Sequence, residues 1–598
     1  MTATKPIIYQ LLPRLFTNYC KTPTVNGTIE QNGSGKLNQI TPRILQQIKS
    51  LGVTHIWYTG VIEHAHDADY TRYGIVRDNP HVVKGHAGSP YAITDYYDID
   101  PDLAEDVPSR MAEFEDLVAR SHREGLKVII DFVPNHVGRQ YHSDAKPSGI
   151  EDLGQGDNSE MFFSPSNNFY YIPRQQFSPR GVDLGSGSDA YVEFPAKASG
   201  NDCFDAFPSV NDWYDTVKLN YGVDPWNGSR HFDPIPPTWL KMLHILRYWA
   251  SKGIDGFRCD MVHMVPLEFW RWAIANVRSH YPDVIFIAEI YDVALYRPYI
   301  EAGFDYLYDK VNLYDTLRAI ECDNVSAARL TSCWQTVEGI APNMLNFLEN
   351  HDEQRFASAQ YAGDASKVIP SLVVSSMFAT GPMMIYFGQE LGETASDAEG
   401  YSGHDGRTTI FDYWSVPTVR RWLNDGRCDG VLPEPVRRLR ETYGRILNIC
   451  NSETAVREGR FFDLMYVNYH NPDFNPHRHY AFLRATADEL LVITVNFDTA
   501  AADIRINIPR HAFDYLDNPE GQVMMTELLG GETVGGLLSS TQSFATHVVG
   551  HGATIWKIRR KDIVDSNATA EGDTPAKPAA KISAKKAPAA ARRKAKKD

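Results

Sequence analysis

Short apolar runs rich in β-branched residues recur along the first two-thirds of the chain, alternating with stretches of helical pattern. Ile7-Ile8-Tyr9-Gln10-Leu11-Leu12, Gly52-Val53-Thr54-His55-Ile56-Trp57, Val128-Ile129-Ile130 and Val284-Ile285-Phe286-Ile287 are the clearest of them. Phe304-Asp305-Tyr306-Leu307-Tyr308 and Pro382-Met383-Met384-Ile385-Tyr386-Phe387 continue the series. Strands that alternate with helical segments predict a parallel sheet, here an α/β fold closed into a (β/α)8 TIM barrel. Beyond about residue 430 the rhythm shortens. Arg460-Phe461-Phe462-Asp463, Tyr480-Ala481-Phe482-Leu483 and Leu490-Leu491-Val492-Ile493-Thr494-Val495 follow one another between turn clusters. That spacing predicts a C-terminal antiparallel β-sandwich.

Between the third and fourth barrel strands lies an interval rich in Gly, Ser, Asn and Pro, with Gly185-Ser186-Gly187-Ser188-Asp189 as its densest part. It is too long for a simple loop and predicts a small irregular domain. The division expected is a barrel over 1–137 and 226–430, an inserted subdomain over 138–225, a C-terminal β-domain over 431–562 and a tail over 563–598. From Lys577 to the end the tail carries nine Lys or Arg against one acid, interleaved with Ala and Pro. Without them the chain would hold 50 basic and 74 acidic residues, a net charge of −24 in place of −16. Such a composition buries too little apolar surface to fold, and predicts a disordered tail able to contact a polyanion or simply to stay solvated.

Four segments at predicted strand ends carry acidic and basic side chains: Asp131-Phe132-Val133-Pro134-Asn135-His136, Gly256-Phe257-Arg258-Cys259-Asp260, Ile287-Ala288-Glu289 and Asn350-His351-Asp352. The C-terminal strand tips of a parallel barrel are where its catalytic groups stand. Cleavage of a glycosidic bond requires one carboxylate and one carboxylic acid on either side of it. Arg258 and Asp260 are two apart, so on a strand they leave the same face, and the guanidinium keeps the aspartate ionised. Cys259, between them, points the other way. Glu289 ends an apolar run, which raises a carboxyl pKa toward the value a general acid needs. Each segment alone also fits a turn or a structural ion pair; the four together fit one active site.

These segments resemble, in order and spacing, those of the α-amylase family of glycoside hydrolases, family 13, over about residues 5 to 420. The resemblance implies that Asp260 is the nucleophile, Glu289 the acid/base and Asp352 the stabiliser of the transition state. Arg258 then accompanies the nucleophile, His136 and His351 bind the sugar at the cleavage point, and Tyr91 stacks under it. The implied reaction retains anomeric configuration, through a covalent glycosyl-enzyme on Asp260. Its implied substrates are α-1,4-linked glucans such as glycogen, starch or malto-oligosaccharides. Two alternatives share these residues: a 4-α-glucanotransferase-like transglycosylase, and a non-catalytic glycan-binding relative. The second would have lost catalytic carboxylates that this chain keeps.

The resemblance has departures. Its members often hold calcium beside the insertion, and Asn135 matches one ligand of that ion. Where many members carry Lys-His after the nucleophile, this chain has His263 and Met264. Exo-acting α-glucosidases usually place Asp after the pocket tyrosine; Ala92 stands there and argues for cleavage within chains. No organic cofactor is implied.

Composition adds two points. Aromatic residues are 12% of the chain, suited to stacking on sugars, although most of them serve a core. Seven scattered cysteines without paired spacing suggest reduced thiols. With no apolar targeting segment after Met1 and no run long enough to cross a bilayer, a cytoplasmic protein without membrane partners is expected.

Overall fold

The computed structural model describes residues 4–564. Eight parallel strands close into a barrel: β1 (Ile7–Leu11), β2 (His55–Tyr58), β3 (Lys127–Phe132), β4 (Gly256–Cys259), β5 (Ile285–Ala288), β6 (Tyr306–Tyr308), β7 (Met344–Phe347) and β8 (Met383–Tyr386). Each strand neighbours the next, and β1 pairs with β8 to complete the ring. Val128, Ile129 and Ile130 are fully buried because barrel strands are covered on both faces, which explains their unbroken apolar run. Helices begin where proline can occupy the first turn, as at Pro42, Pro237 and Pro417.

Two excursions leave the C-terminal mouth. After β2 the chain makes a hairpin of Ile62–His64 and Ile93–Ile99. After β3 comes the insertion, pinned at its base where His136–Gly138 pairs with Thr216–Lys218.

The helix Glu434–Ser452 lies beyond the expected boundary at residue 430, yet it packs on the barrel. Its Asn448 and Asn451 amides donate to the carbonyls of Ser50 and Gly52, at 3.0 and 2.6 Å. The strands that follow form an antiparallel domain. β9 (Arg460–Asp463), β10 (His479–Ala485), β11 (Glu489–Asn496), β13 (Gly521–Glu527), β14 (Thr533–Leu538) and β16 (Gly552–Arg559) make one sheet in the order 9-10-11-16-13-14. β12 (Ala502–Ile506) and β15 (Phe544–Val548) form only a two-stranded ribbon against it, so the second layer of the expected sandwich is small. Phe378, behind the barrel, meets Phe461 and Phe482 at ring distances of 5.1 and 6.2 Å, joining the two cores. Val564 bridges Gln522 and belongs to the sheet; the expected tail from residue 565 onward lies outside the described residues.

Candidate active site

Asp260 and Glu289 stand one residue past β4 and β5, and Asp352 lies in the loop after β7, all at one mouth of the barrel. Arg258 organises them. In register it sits between Asp131 of β3 and Ile287 of β5. Its guanidinium is fully buried, with Nη1 2.7 Å from Asp260 Oδ1 and Nη2 2.8 Å from Glu289 Oε1. Nη1 is also 3.8 Å from Asp131 Oδ1. The rings of Trp57, Tyr91 and Tyr308 surround the cation, with centroids 5.3, 5.2 and 5.6 Å away.

The carboxyls so gathered are unequal. Burial, helped by the charges of Asp260 and Asp352, raises Glu289 to about 7 against the pull of Arg258. Tyr291 Oη donates to Glu289 Oε1 at 2.6 Å, and the Met261 amide donates to Oε2 at 2.8 Å. Met261 reaches that position only from the left-handed region, at φ 43°, a strained conformation for a side chain of its size. Burial raises Asp260 as well, but Arg258 pulls it back by charge and by hydrogen bond. Asp260 Oδ2 is buried without a donor among the described residues when Glu289 is ionised. Desolvation also opposes ionisation of Asp352, yet His351, Arg258 and Arg407 outweigh it and hold that carboxyl below the usual range.

Tyr91 lies flat on His351, rings 5.1 Å apart at 22°. His351 Nδ1 faces Gln10 Nε2 at 2.7 Å, and its Nε2 faces Tyr91 Oη at 2.7 Å and Asp352 Oδ2 at 3.0 Å. A Gln10 amide donating to Nδ1 places the ring proton on Nε2, toward Asp352. His136 is held neutral, burial first and then the nearby lysines pushing it down to about 3. Tyr91, His136, Asp260, Glu289, His351 and Asp352 line one cavity of about 330 Å³. All seven residues expected in catalysis and sugar binding therefore meet: six on its wall, Arg258 beneath.

The alpha amylase catalytic-domain family matches residues 10–176 and 238–410. The chain belongs to the α-amylase family of glycoside hydrolases. Curated relatives include an α-amylase of Streptomyces lividans, 26% identical over 64% of this chain and 42% of that protein. A neopullulanase 2 of Thermoactinomyces vulgaris is 24% identical over 65% of this chain and 57% of its own length. The chain thus spans about half the length of these relatives. Among solved structures, a maltogenic α-amylase of Thermotoga neapolitana superposes with a TM-score of 0.60 at 18% identity, covering 94% of this chain and 100% of the other. An α-amylase of Geobacillus thermoleovorans, solved with acarbose, gives a TM-score of 0.59 at 19% identity, covering 93% and 99%. At these identities the likeness establishes the fold alone.

The calcium ion common in the α-amylase family finds a different arrangement here. Asn135, expected as its ligand, accepts a hydrogen bond at Oδ1 from the Lys218 ammonium. Lys218 Nζ also lies 2.6 Å from Asp202 Oδ1 and 3.1 Å from the Met264 carbonyl. Three oxygens suited to a cation already converge on a buried lysine, so these residues do not fit a metal at Asn135.

Several residues that shape the pocket carry no mark of that role in the sequence. Asp131 accepts from Trp57 Nε1 at 3.1 Å, the Gly60 amide at 3.2 Å and Tyr91 Oη at 3.3 Å, fixing the tyrosine. It heads a segment read from the sequence, but its place inside a strand obscured its role. Lys84 and Asp215 pair at 2.9 Å across the pocket wall, joining the loop after β2 to the insertion. Trp213 packs on His136, rings 5.1 Å apart. No local pattern marks Lys84, Asp215, Trp213 or Tyr291.

Proposed function

We propose that the protein is a retaining hydrolase of α-1,4-linked glucans, acting on glycogen, starch or malto-oligosaccharides. The observation that carries this reading is the Arg258 guanidinium held between Asp260 and Glu289. It leaves one acid suited to ionise and the other suited to keep a proton near neutrality. The names of the relatives, among them α-amylase, neopullulanase and cyclomaltodextrinase, support a glucan as substrate.

Glu289, protonated, donates to the glycosidic oxygen while Asp260 Oδ2 attacks the anomeric carbon. Developing positive charge on the ring faces the carboxylates of Asp260 and Asp352, and His136, held neutral by burial, and His351 hold ring hydroxyls. The ester on Asp260 is then opened by a water whose proton Glu289 accepts, restoring both groups. Ala92 is buried with Ala65 and Val83 and presents no carboxylate to a terminal sugar, which favours cleavage within chains. Lys218 in the Asn135 cradle favours turnover without a metal there.

A cytoplasmic setting is supported by seven free cysteines and by a relative named an intracellular maltogenic amylase, from Bacillus subtilis. Among the described residues no helix is long and apolar enough to cross a membrane.

The test is to incubate pure protein with maltoheptaose and with glycogen and separate the products over time. Shorter maltodextrins of mixed length support the proposal. Products longer than the donor would indicate transfer to a sugar hydroxyl, glucose alone from the first minutes would indicate attack at chain ends, and no product would remove the proposal.

A further inference from the structure

We propose that Glu63, Asp98 and Asp144 form a binding site for a hard divalent cation, calcium in particular, at the seam between the hairpin after β2 and the first loop of the insertion. One carboxylate oxygen from each lies within 4.8 Å of the others, the span of oxygens around a single ion. A group of acids alone would mean little. The decisive observation is that Glu63 is only 5% exposed and its Oε2 is buried with no hydrogen-bond partner among the described residues. A carboxylate so placed is costly unless something neutralises it.

The neighbours do not supply that charge. After burial, the groups acting on Glu63 are the acids Asp95, Asp98, Asp144 and Asp100, all of which disfavour its ionised form. Arg110 is committed to Asp98 Oδ2, and Asp98 Oδ1 accepts from the Ile99 amide at 2.7 Å. Lys146, two residues past Asp144, gives its ammonium to the Ser143 carbonyl at 2.9 Å. Asp95, opposite Glu63 in the hairpin, is satisfied by Ser143 Oγ at 2.6 Å, the Tyr97 amide at 2.8 Å and the Ala145 amide at 3.0 Å. Those bonds to Ser143 and Ala145 are what bring Asp144 to Glu63.

Two other oxygen-rich clusters have a cation of their own. At His66, Asp100 and Asp102, which lie equally close, Asp100 Oδ2 is also buried without a hydrogen-bond partner, but His66 and Arg14 supply positive charge to Asp100, and Tyr70 and Tyr413 donate to Asp102. The Asn135 cradle holds Lys218. Only oxygen ligands meet at Glu63, which selects calcium or magnesium over softer ions. Asp144 is exposed, leaving a face for water, and calcium tolerates such irregular, partly hydrated coordination better than magnesium. A bound ion would tie the insertion to the hairpin strand that begins two residues after Tyr91, steadying the floor of the sugar pocket.

The full chain, stripped with a chelator, is titrated with calcium chloride by calorimetry while its Tm is followed. One ion should bind with Kd of about 10⁻⁵–10⁻³ M. A tenfold excess over Kd should raise Tm by about 2 °C. Asp144→Asn, a surface change that spares the fold, should weaken binding about tenfold or more. Glu63→Gln should abolish it and leave the metal-free protein at least as stable as metal-free wild type. No binding at millimolar calcium, or an undiminished response in both variants, would overturn the proposal. Repeating the titration on Asp260→Asn keeps the result independent of whether the protein cleaves glucans.

Discussion

Two buried cations gather oxygens within the fold, and their surroundings differ in one respect. Arg258 faces three acids, with nitrogens 2.7 Å from Asp260, 2.8 Å from Glu289 and 3.8 Å from Asp131. Lys218 faces one acid, Asp202 at 2.6 Å, and otherwise a neutral amide and the Met264 carbonyl at 3.1 Å. Around the arginine negative charge is in excess, so the least favoured carboxylate keeps a proton near neutrality, and that proton is available to a leaving group. Around the lysine the charges balance and no proton is in play. The residue types follow the tasks. A planar fork holds two carboxylates at fixed positions, whereas a compact ammonium fills the space of a small cation. An uncompensated buried cluster is a chemical device; a compensated one is a rivet.

The largest effect should come from removing the attacking oxygen. Asp260→Asn should lower kcat by about 10³ or more while the circular dichroism spectrum and Tm stay near wild type. A residual rate within tenfold of wild type would take the nucleophile role away from Asp260. Next in size is Arg258→Lys, which keeps the charge and loses the fork. A lysine can serve one of the two carboxylates, so kcat should fall by about 10²–10³ and the pH–rate profile should shift, since Glu289 loses its countercharge. An unshifted profile with a loss under tenfold would mean the cation acts through charge alone.

The part of this arrangement legible in sequence was the part that barrel geometry dictates. Carboxylates at strand tips, and Arg258 two residues before Asp260, follow from strand period and from the mouth of the barrel. Lys218 was hidden because its partners come from three separate segments; Asn135 read as a metal ligand until the lysine 83 residues away was seen to occupy it. Met261 gives no sign of its left-handed backbone, for the strain is imposed by the turn that aims its amide at Glu289. The C-terminal strands were visible by alternation. Their partition into a large sheet and a small ribbon depends on long-range pairing, such as Gly521–Glu527 with Gly552–Arg559, that local pattern does not encode. The helix Glu434–Ser452 was assigned past the barrel because nothing in its own pattern tells which surface it covers.

Lys218→Met tests the other half of the comparison. It removes the countercharge of Asp202 and the donor to Asn135 while leaving every group around Arg258 in place. Breaking a fully buried pair costs about 3–5 kcal/mol, but Asp202 is nearly half exposed and water recovers part of it, so a loss of about 1–3 kcal/mol is expected by denaturant titration. The activity of the folded fraction should change far less than with Arg258→Lys. A collapse of kcat equal to that of Arg258→Lys would show that the lysine is part of the chemistry and that charge balance does not separate the two clusters.

The smallest effect bears most directly on the surplus charge. Glu289 has its carboxyl raised in the fold to about 7 from an ordinary 4.5, with burial the leading cause. A raised acid favours the folded state in its protonated form, so its contribution is complete below about 4.5 and is lost as pH climbs through 7. Wild type should therefore lose stability across that window for a reason that Glu289→Gln does not share. The difference in unfolding free energy between the two should grow in favour of the glutamine variant from pH 4.5 to 7, reach about 1–3 kcal/mol, and then level off. The same ionisation removes the general acid, so the rate of wild type should fall on the alkaline side with an apparent pKa close to where the stability difference levels off. If stability followed this course while the rate did not, the proton held by Glu289 would not be the one delivered to the leaving group. Parallel pH curves for the two proteins would mean that Arg258 neutralises its acids as fully as Lys218 does, and the distinction between the clusters would vanish.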